Sequence, residues 1–275
     1  MRTLLAALLF AGACYRAPQV DLQPVLELDH ELEDIAGTDY ARGVLYDRLS
    51  AAAPHDRKLQ AAIAGRRCAL ASQYEPSKAE GLCRDALRAA QGAQERALVA
   101  TALRRQGNAL RAAGRCAEAL ATYGRAEAIA PKTAHVERAM LAWGQALCHS
   151  ARGEHAAARA GINSAREHIA DAGNKYADFN AIVDLHSATV AAAAGEHSAA
   201  CTDLLAAIHR QARLKLENPE YAGYAHYYAR ILLAEVQTGC APRTALQEAR
   251  EIAADLLAHD PRRVEYRQLA EAVQR

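Results

Sequence analysis

One segment, Ala100–Pro131, constrains the fold of this chain more than any other. It reads ATALRRQGNALRAAGRCAEALATYGRAEAIAP, with small and large apolar residues at helical spacing on both sides of Gly114. A small residue at Gly107 lets two antiparallel helices approach closely, while Leu110 and Tyr123 fill the remaining space. Gly114 suits the left-handed backbone that ends many helices. The segment therefore predicts a helical hairpin.

The order of these residues resembles the tetratricopeptide repeat family. That family has a small residue within a first helix, a turn glycine, an Ala-x-x-x-aromatic step and a closing proline. Here the step runs from Ala119 to Tyr123, and Ala126 and Pro131 follow, while Leu103 stands in place of the early aromatic residue. The resemblance implies an all-α fold, an α-solenoid of about five antiparallel helical hairpins with a C-terminal capping helix.

Related units on both sides extend this prediction. The sequences Gly153-Glu154-His155-Ala156 and Gly195-Glu196-His197-Ser198 are near-copies, and each follows an Ala-rich stretch. Two further hairpins are expected from helix-forming stretches. Their helices span residues 58–72 with 77–90 and residues 221–238 with 242–258, and a final helix spans 262–273. We therefore expect the repeat domain over residues 55–275, preceded by an N-terminal helical cap at 27–54.

The first residues are typical of an export signal. A positive start, the apolar run Leu4–Phe10 and the small residues Ala11–Ala13 precede Cys14. Small residues directly before a cysteine resemble the lipobox of bacterial lipoproteins, although Ala11 stands where that motif usually has Leu. We expect a signal peptide at 1–13, a lipid anchor on Cys14 and an extended tether at 14–26. The alternative is an ordinary secretion signal cleaved near Ala13 or Ala17.

The cysteine count fits this expectation. Of seven cysteines, six remain if Cys14 carries lipid, and an even set in an exported chain indicates disulfides. The start of a second helix lies beside the end of the next first helix in stacked hairpins. This register predicts the pairs Cys116–Cys148 and Cys201–Cys240. Cys68 and Cys83 lie about equally far on either side of the Glu75-Pro76 turn, so they are predicted to pair within one hairpin. The alternative is six buried, reduced cysteines.

The sequence favours a binding protein over an enzyme or a nucleic-acid binder. The formal net charge is +1, without the basic excess that nucleic-acid binding requires. No serine nucleophile elbow, phosphate-binding loop, zinc-protease motif or zinc-finger spacing is present. We therefore expect no catalytic residue, no metal site and no cofactor. The pairs Arg66-Arg67 and Arg104-Arg105 are interpreted as solvated faces.

The predicted peptide-binding residues lie on the first helices of two units. Arg104, Asn108 and Arg111 share one helical face. Arg104 and Asn108 resemble the start of the clamp with which some tetratricopeptide domains hold a C-terminal carboxylate. The clamp is incomplete, because its other positions fall near Gly144, Ile182 and His186. Tyr227 and Arg230 complete the predicted set.

Tyr227 belongs to a tyrosine cluster with Tyr221, Tyr224 and Tyr228. Core packing is the alternative to a partner-binding patch there.

Two functional hypotheses follow. The first is a non-enzymatic adaptor or scaffold in the bacterial cell envelope, anchored by lipid on Cys14 at the periplasmic side of the outer membrane. It would hold a protein or peptide partner in a concave groove, including in outer-membrane assembly. The second is a ligand-binding protein or enzyme that uses His186, His226 and the tyrosine cluster. A shallow open groove would favour the first hypothesis, and a deep enclosed pocket would favour the second.

Overall fold

The computed structural model describes residues 39–173, 177–217 and 222–274. The predicted signal peptide, Cys14, the tether, residues 27–38 of the N-terminal cap and Tyr221 lie outside these residues. Twelve α-helices and no β-strand occur within the described ranges. They are α1 Asp39–Ala52, α2 Arg57–Tyr74, α3 Pro76–Ala93, α4 Arg96–Ala112, α5 Cys116–Ile129, α6 His135–Ala151, α7 His155–Ala172, α8 Ala177–Ala193, α9 His197–Glu217, α10 Ala222–Thr238, α11 Thr244–His259 and α12 Val264–Ala272.

The helices form the predicted all-α solenoid. Five antiparallel hairpins, α2/α3 to α10/α11, pack side by side in the described part of the chain, with α1 before them and α12 after them. Each first helix also contacts the first helix of the next hairpin, so that α2, α4, α6, α8 and α10 form one inner wall. None of the described helices combines the length and the apolar composition that crossing a membrane requires.

A repeated turn ends the first helix of three hairpins. Gly114, Gly153 and Gly195 have φ angles of 76°, 74° and 80°. The residue after each glycine donates its backbone N–H to the carbonyl five residues earlier, at 2.9 Å in all three turns. This is the Schellman motif, in which a left-handed glycine satisfies the last carbonyls of a helix. The near-copies in the sequence therefore adopt the same local structure.

Tyr123 lies at the centre of the contact between α4, α5 and α6. Its side chain is fully buried, and its hydroxyl donates to Asn108 Oδ1 at 2.7 Å. A Cβ atom at Gly107 would lie 2.5 Å from the ring, and one at Gly144 would lie 2.8 Å from it. Both glycines are thus required by this ring, which joins one hairpin to the next. Burial raises the pKa of Tyr123 to about 12.

The cysteines lie where the hairpin register predicted them. Disulfides join Cys68 to Cys83 within the hairpin α2/α3, and Cys201 in α9 to Cys240 beyond α10. From the length of the loop that it closes, each disulfide is expected to stabilise the folded state by about 3 kcal/mol or more.

The third predicted bridge, Cys116–Cys148, is absent from this structure, where both residues are free thiols. The two thiols are neighbours, and burial together with the adjacent Cys116 raises the pKa of Cys148 to about 12. Proximity alone does not make a disulfide, because the bond also needs oxidation and a specific dihedral angle.

The two ends of the solenoid meet. The Tyr74 hydroxyl, at the end of α2, donates to Asp260 Oδ2, just after α11, at 2.8 Å. Helix α12 also contacts α2. Tyr74 and Asp260 are 186 positions apart in the chain. The row of hairpins therefore curves until its last element reaches its first complete hairpin. The curvature encloses a central space.

The glycine contacts with Tyr123 generate a stability prediction. Gly107→Ala should destabilise the protein by up to about 2 kcal/mol, because overpacking costs about 1–3 kcal/mol and the gain in helix propensity offsets about 1 kcal/mol of it. The matched control is Gly124→Ala in α5, which is exposed and has no atom within 4 Å of an added Cβ. This control should be stabilising by about 1 kcal/mol. Urea unfolding measures both, and equal effects of the two variants would contradict the contact.

Candidate binding cavity

The inner wall surrounds a cavity of about 970 Å³. Residues from the first helix of all five hairpins line it, and α12 adds Glu265 near the point of closure. Its volume lies near the upper end of the range for ligand pockets, about 300–1,000 Å³. Although α12 contacts α2, the cavity stays widely open to solvent, so it is neither a shallow groove nor the deep enclosed pocket that the alternative hypothesis requires.

Four of the five predicted peptide-binding residues line this cavity. Arg104, Asn108 and Arg111 project from α4 at helical spacing, and Tyr227 faces them from α10. Arg230 is outside the lining set. Its guanidinium carbon lies 5.6 Å from the centre of the Tyr227 ring, and its Nη2 lies 3.5 Å from Nε2 of His186.

Arg104 and Asn108 are occupied by contacts within the protein. Arg104 Nε donates to Glu137 Oε1 at 2.8 Å, and the two side chains are 12% and 16% exposed. The Asn108 amide oxygen accepts the hydroxyl hydrogen of Tyr123. The clamp-like pair thus ties α4 to its neighbours and offers fewer groups to a carboxylate than its sequence suggests.

Arg111 and Trp143 present buried donors. The Arg111 guanidinium lies 5.9 Å from the centre of the Trp143 ring, and Trp143 packs edge-on against Phe179 with centroids 5.6 Å apart. Arg111 Nε and Trp143 Nε1 are buried and have no hydrogen-bond partner within the described part of the chain. An unpaired buried donor costs about 1–3 kcal/mol, so an acceptor supplied by a ligand would be favoured here.

The charge of the lining is positive among the described residues. Five arginines line the cavity against three carboxylates, and the arginines are Arg66, Arg104, Arg105, Arg111 and Arg263. Arg67 is exposed as expected, at 39%. The interpretation of Arg104 as part of a solvated face is wrong, because its side chain is 12% exposed and paired with Glu137. The sequence could not show this, because the inner wall is defined only when first helices of successive hairpins are brought together. Trp143 was missed for the same reason, although it precedes Gly144 and is the only tryptophan of the chain.

The two histidines of the alternative hypothesis are buried and uncharged at neutral pH. His186 Nδ1 donates to the Ile182 carbonyl at 2.8 Å, and the centroid of its ring lies 5.3 Å from that of Trp143. Burial, followed by the charges of Arg230 and Arg111, lowers its pKa to about 3. Burial, Arg230 and Arg263 also lower the pKa of His226, which lines the cavity, well below its usual range.

The tyrosine cluster separates into different environments. Tyr227 lines the cavity, whereas Tyr228 lies beneath Lys215, whose Nζ is 4.9 Å from the ring centre. The Tyr224 carbonyl accepts a hydrogen bond from Gln211 Nε2 at 3.0 Å. Only one of the described tyrosines of this cluster therefore contributes to the cavity wall.

One group of residues at the cavity wall has the composition of a metal site. His135, His168 and Asp171 have potential ligand atoms that all lie within 4.8 Å of one another. His135 lies in α6, whereas His168 and Asp171 lie in α7, and their spacing in the sequence matches no recognised metal-binding motif.

Comparison with family models and with curated proteins gave no match. Among solved structures, the chain is similar to a single-residue variant of the nearly identical TPR-like repeats of a Podosopora anserina kinesin light chain. The TM-score is 0.50 at 18% identity, over 74% of this chain and 98% of that one. The structure of the unsubstituted repeats has a TM-score of 0.49 at 18% identity, over 73% of this chain and 97% of that one.

A third similar structure is the APC/C hetero-tetramer Cut9–Hcn1, with a TM-score of 0.40 at 11% identity, over 94% of this chain and 50% of that one. At 18% identity, the likeness to the single-residue variant of the kinesin light chain repeats shows the fold alone, a solenoid of TPR-like helical hairpins.

The depressed pKa of His186 predicts that acid destabilises the fold. The unfolded chain binds a proton near pH 6.5, whereas the native imidazole does so only near pH 3. The free energy of unfolding therefore decreases as pH falls below about 6.5, and at pH 5 His186 alone lowers it by about 2 kcal/mol. His186→Gln should reduce the difference in unfolding free energy between pH 7.5 and pH 5 by about that amount, measured by urea titration. An unchanged difference would show that His186 is not held neutral.

Proposed function

We propose that this chain is a non-enzymatic adaptor that holds an acidic segment of another protein in its central cavity. The proposal rests on the excess of hydrogen-bond donors over acceptors among the residues that line the cavity. Arginines outnumber carboxylates there, and Arg111 Nε and Trp143 Nε1 are buried without partners in the described chain. A ligand rich in carboxylate or carbonyl oxygens would supply the missing acceptors.

The apolar part of the lining supports a peptide rather than an isolated anion. Trp143, Phe179, Met140 and Ile182 line the same cavity as the arginines. A peptide can place side chains against this surface while its carboxylates and carbonyls meet the donors, and such mixed contacts are typical of peptide grooves. The inner wall of a helical-repeat solenoid is suited to this kind of binding.

The proposal includes location in the bacterial cell envelope. The apolar N-terminal run and Cys14 support export followed by lipid anchoring at the outer membrane. The disulfides Cys68–Cys83 and Cys201–Cys240 are also in keeping with an oxidising compartment such as the periplasm. A lipid-anchored adaptor would keep its partner close to the membrane surface.

A small anionic ligand is the second candidate. The observation that favours it is the closure of the solenoid by Tyr74 and Asp260, which gives a cavity within the size range of small-molecule sites. This candidate differs from the first in its ligand, which would enter the cavity whole and would not extend beyond it.

The proposed function predicts charge-selective binding that depends on Arg111. The tag-free protein should bind a short fluorescent glutamate-rich peptide and not a lysine-rich peptide of equal length, as measured by fluorescence anisotropy. Arg111→Met keeps the apolar stem and should weaken binding at least tenfold, about 1.4 kcal/mol, because it removes a charged donor. The control Arg88→Met lies on the exposed surface of α3 and should bind as the unaltered protein does.

Three outcomes separate the candidates. Equal binding of the two peptides, or an Arg111→Met variant that binds like the control, would contradict the adaptor proposal. Glutarate and inorganic phosphate serve as competitors in the same assay, and thermal stabilisation by them without peptide binding would favour the second candidate.

A further inference from the structure

Three potential metal ligands meet at one end of the hairpin α6/α7. His135 is the first residue of α6, while His168 and Asp171 lie in the last turns of α7. The helices are antiparallel, so the start of one lies beside the end of the other. His135 Nδ1 is 3.6 Å from Asp171 Oδ2, and the two imidazole centroids are 6.3 Å apart. His168 and Asp171 share one helical face, because they are three residues apart.

The separations suit a single ion. Zinc binds imidazole nitrogen and carboxylate oxygen at about 2.0–2.2 Å, which places two ligand atoms of one ion about 3–4 Å apart. The potential ligand atoms of His135, His168 and Asp171 already lie within 4.8 Å of one another. The ligand atoms would therefore have to approach one another by only about 1 Å to share one ion.

Two of the ligands have unsatisfied nitrogens. The Nδ1 atoms of His135 and His168 are buried and have no hydrogen-bond partner in the described residues. An ion pair between a protonated His135 and Asp171 would use two of the three groups and would leave His168 Nδ1 without a partner. A bound cation accounts for all three groups, and the negative end of the α7 dipole also favours a cation here.

We propose that His135, His168 and Asp171 form a binding site for one divalent transition-metal ion of the zinc class. Two imidazoles and one carboxylate favour zinc, copper or nickel over magnesium and calcium, which prefer oxygen ligands. Three protein ligands leave at least one coordination position for water or a ligand. His135 and Asp171 also line the central cavity, so the ion lies at its wall. The site does not depend on the proposed function, since the chain can bind metal whether or not it binds peptide.

The test is calorimetric titration of the full, tag-free, chelator-treated protein with Zn²⁺, with Mg²⁺ as the comparison ion. One high-affinity Zn²⁺ should bind per chain, and Mg²⁺ should not bind at that site. His168→Gln and Asp171→Asn should each weaken Zn²⁺ binding at least tenfold, because each removes a ligand. Asp171 is 62% exposed, so its variant should fold normally and remain informative if His168→Gln does not.

The control is His259→Gln on α11. His259 also lies near a carboxylate, with Nδ1 3.4 Å from Asp255 Oδ1, but this exposed pair belongs to no three-ligand cluster in the described chain. The variant should bind Zn²⁺ as the unaltered protein does. Absence of a high-affinity Zn²⁺ site, or equal affinity in Asp171→Asn and His259→Gln, would overturn the proposal. Circular dichroism confirms that each variant is folded.

Discussion

The close approach of helices around small residues is the constraint on which this structure depends. At Tyr123 the ring fills the space that Gly107 and Gly144 leave open, and it contacts helices of two successive hairpins. Fully buried alanines, including Ala126 and Ala158, have the same role elsewhere in the solenoid. Because an added methyl group at the glycines would meet the aromatic ring, the distance between neighbouring hairpins is fixed within narrow limits.

Fixed spacing between hairpins determines the curvature, and the curvature produces the cavity. Each hairpin rotates slightly relative to the one before it, and the rotations add along the row. After five hairpins the row returns to its first hairpin, where Tyr74 meets Asp260. The first helices then face a common centre, and arginines that are distant in sequence become neighbours there. The positive character of the cavity is thus a property of the superhelix and not of any single repeat.

The features that could be predicted from the sequence are local. The turn glycines, the Ala-x-x-x-Tyr step and the register of the cysteines depend on one hairpin or on two adjacent ones, and they identified the solenoid and the neighbouring cysteine pairs. Closure could not be predicted, because it depends on small angles summed over five units. The arginines of the inner wall and the His135–Asp171 contact likewise require three-dimensional positions. The same register brings Cys116 and Cys148 together, where both are free thiols.

The solenoid closes on itself, and the distance between its first hairpin and the end of α11 can be measured in solution. Spin labels on unnatural amino acids at Ser77, at the start of α3, and His259, at the end of α11, avoid the native cysteines and lie on exposed positions. Double electron–electron resonance should give one short, narrow distance, because Tyr74 and Asp260 hold these segments together. A long or broad distribution would show that the ends are apart and would contradict the contact between the first and last elements of the solenoid.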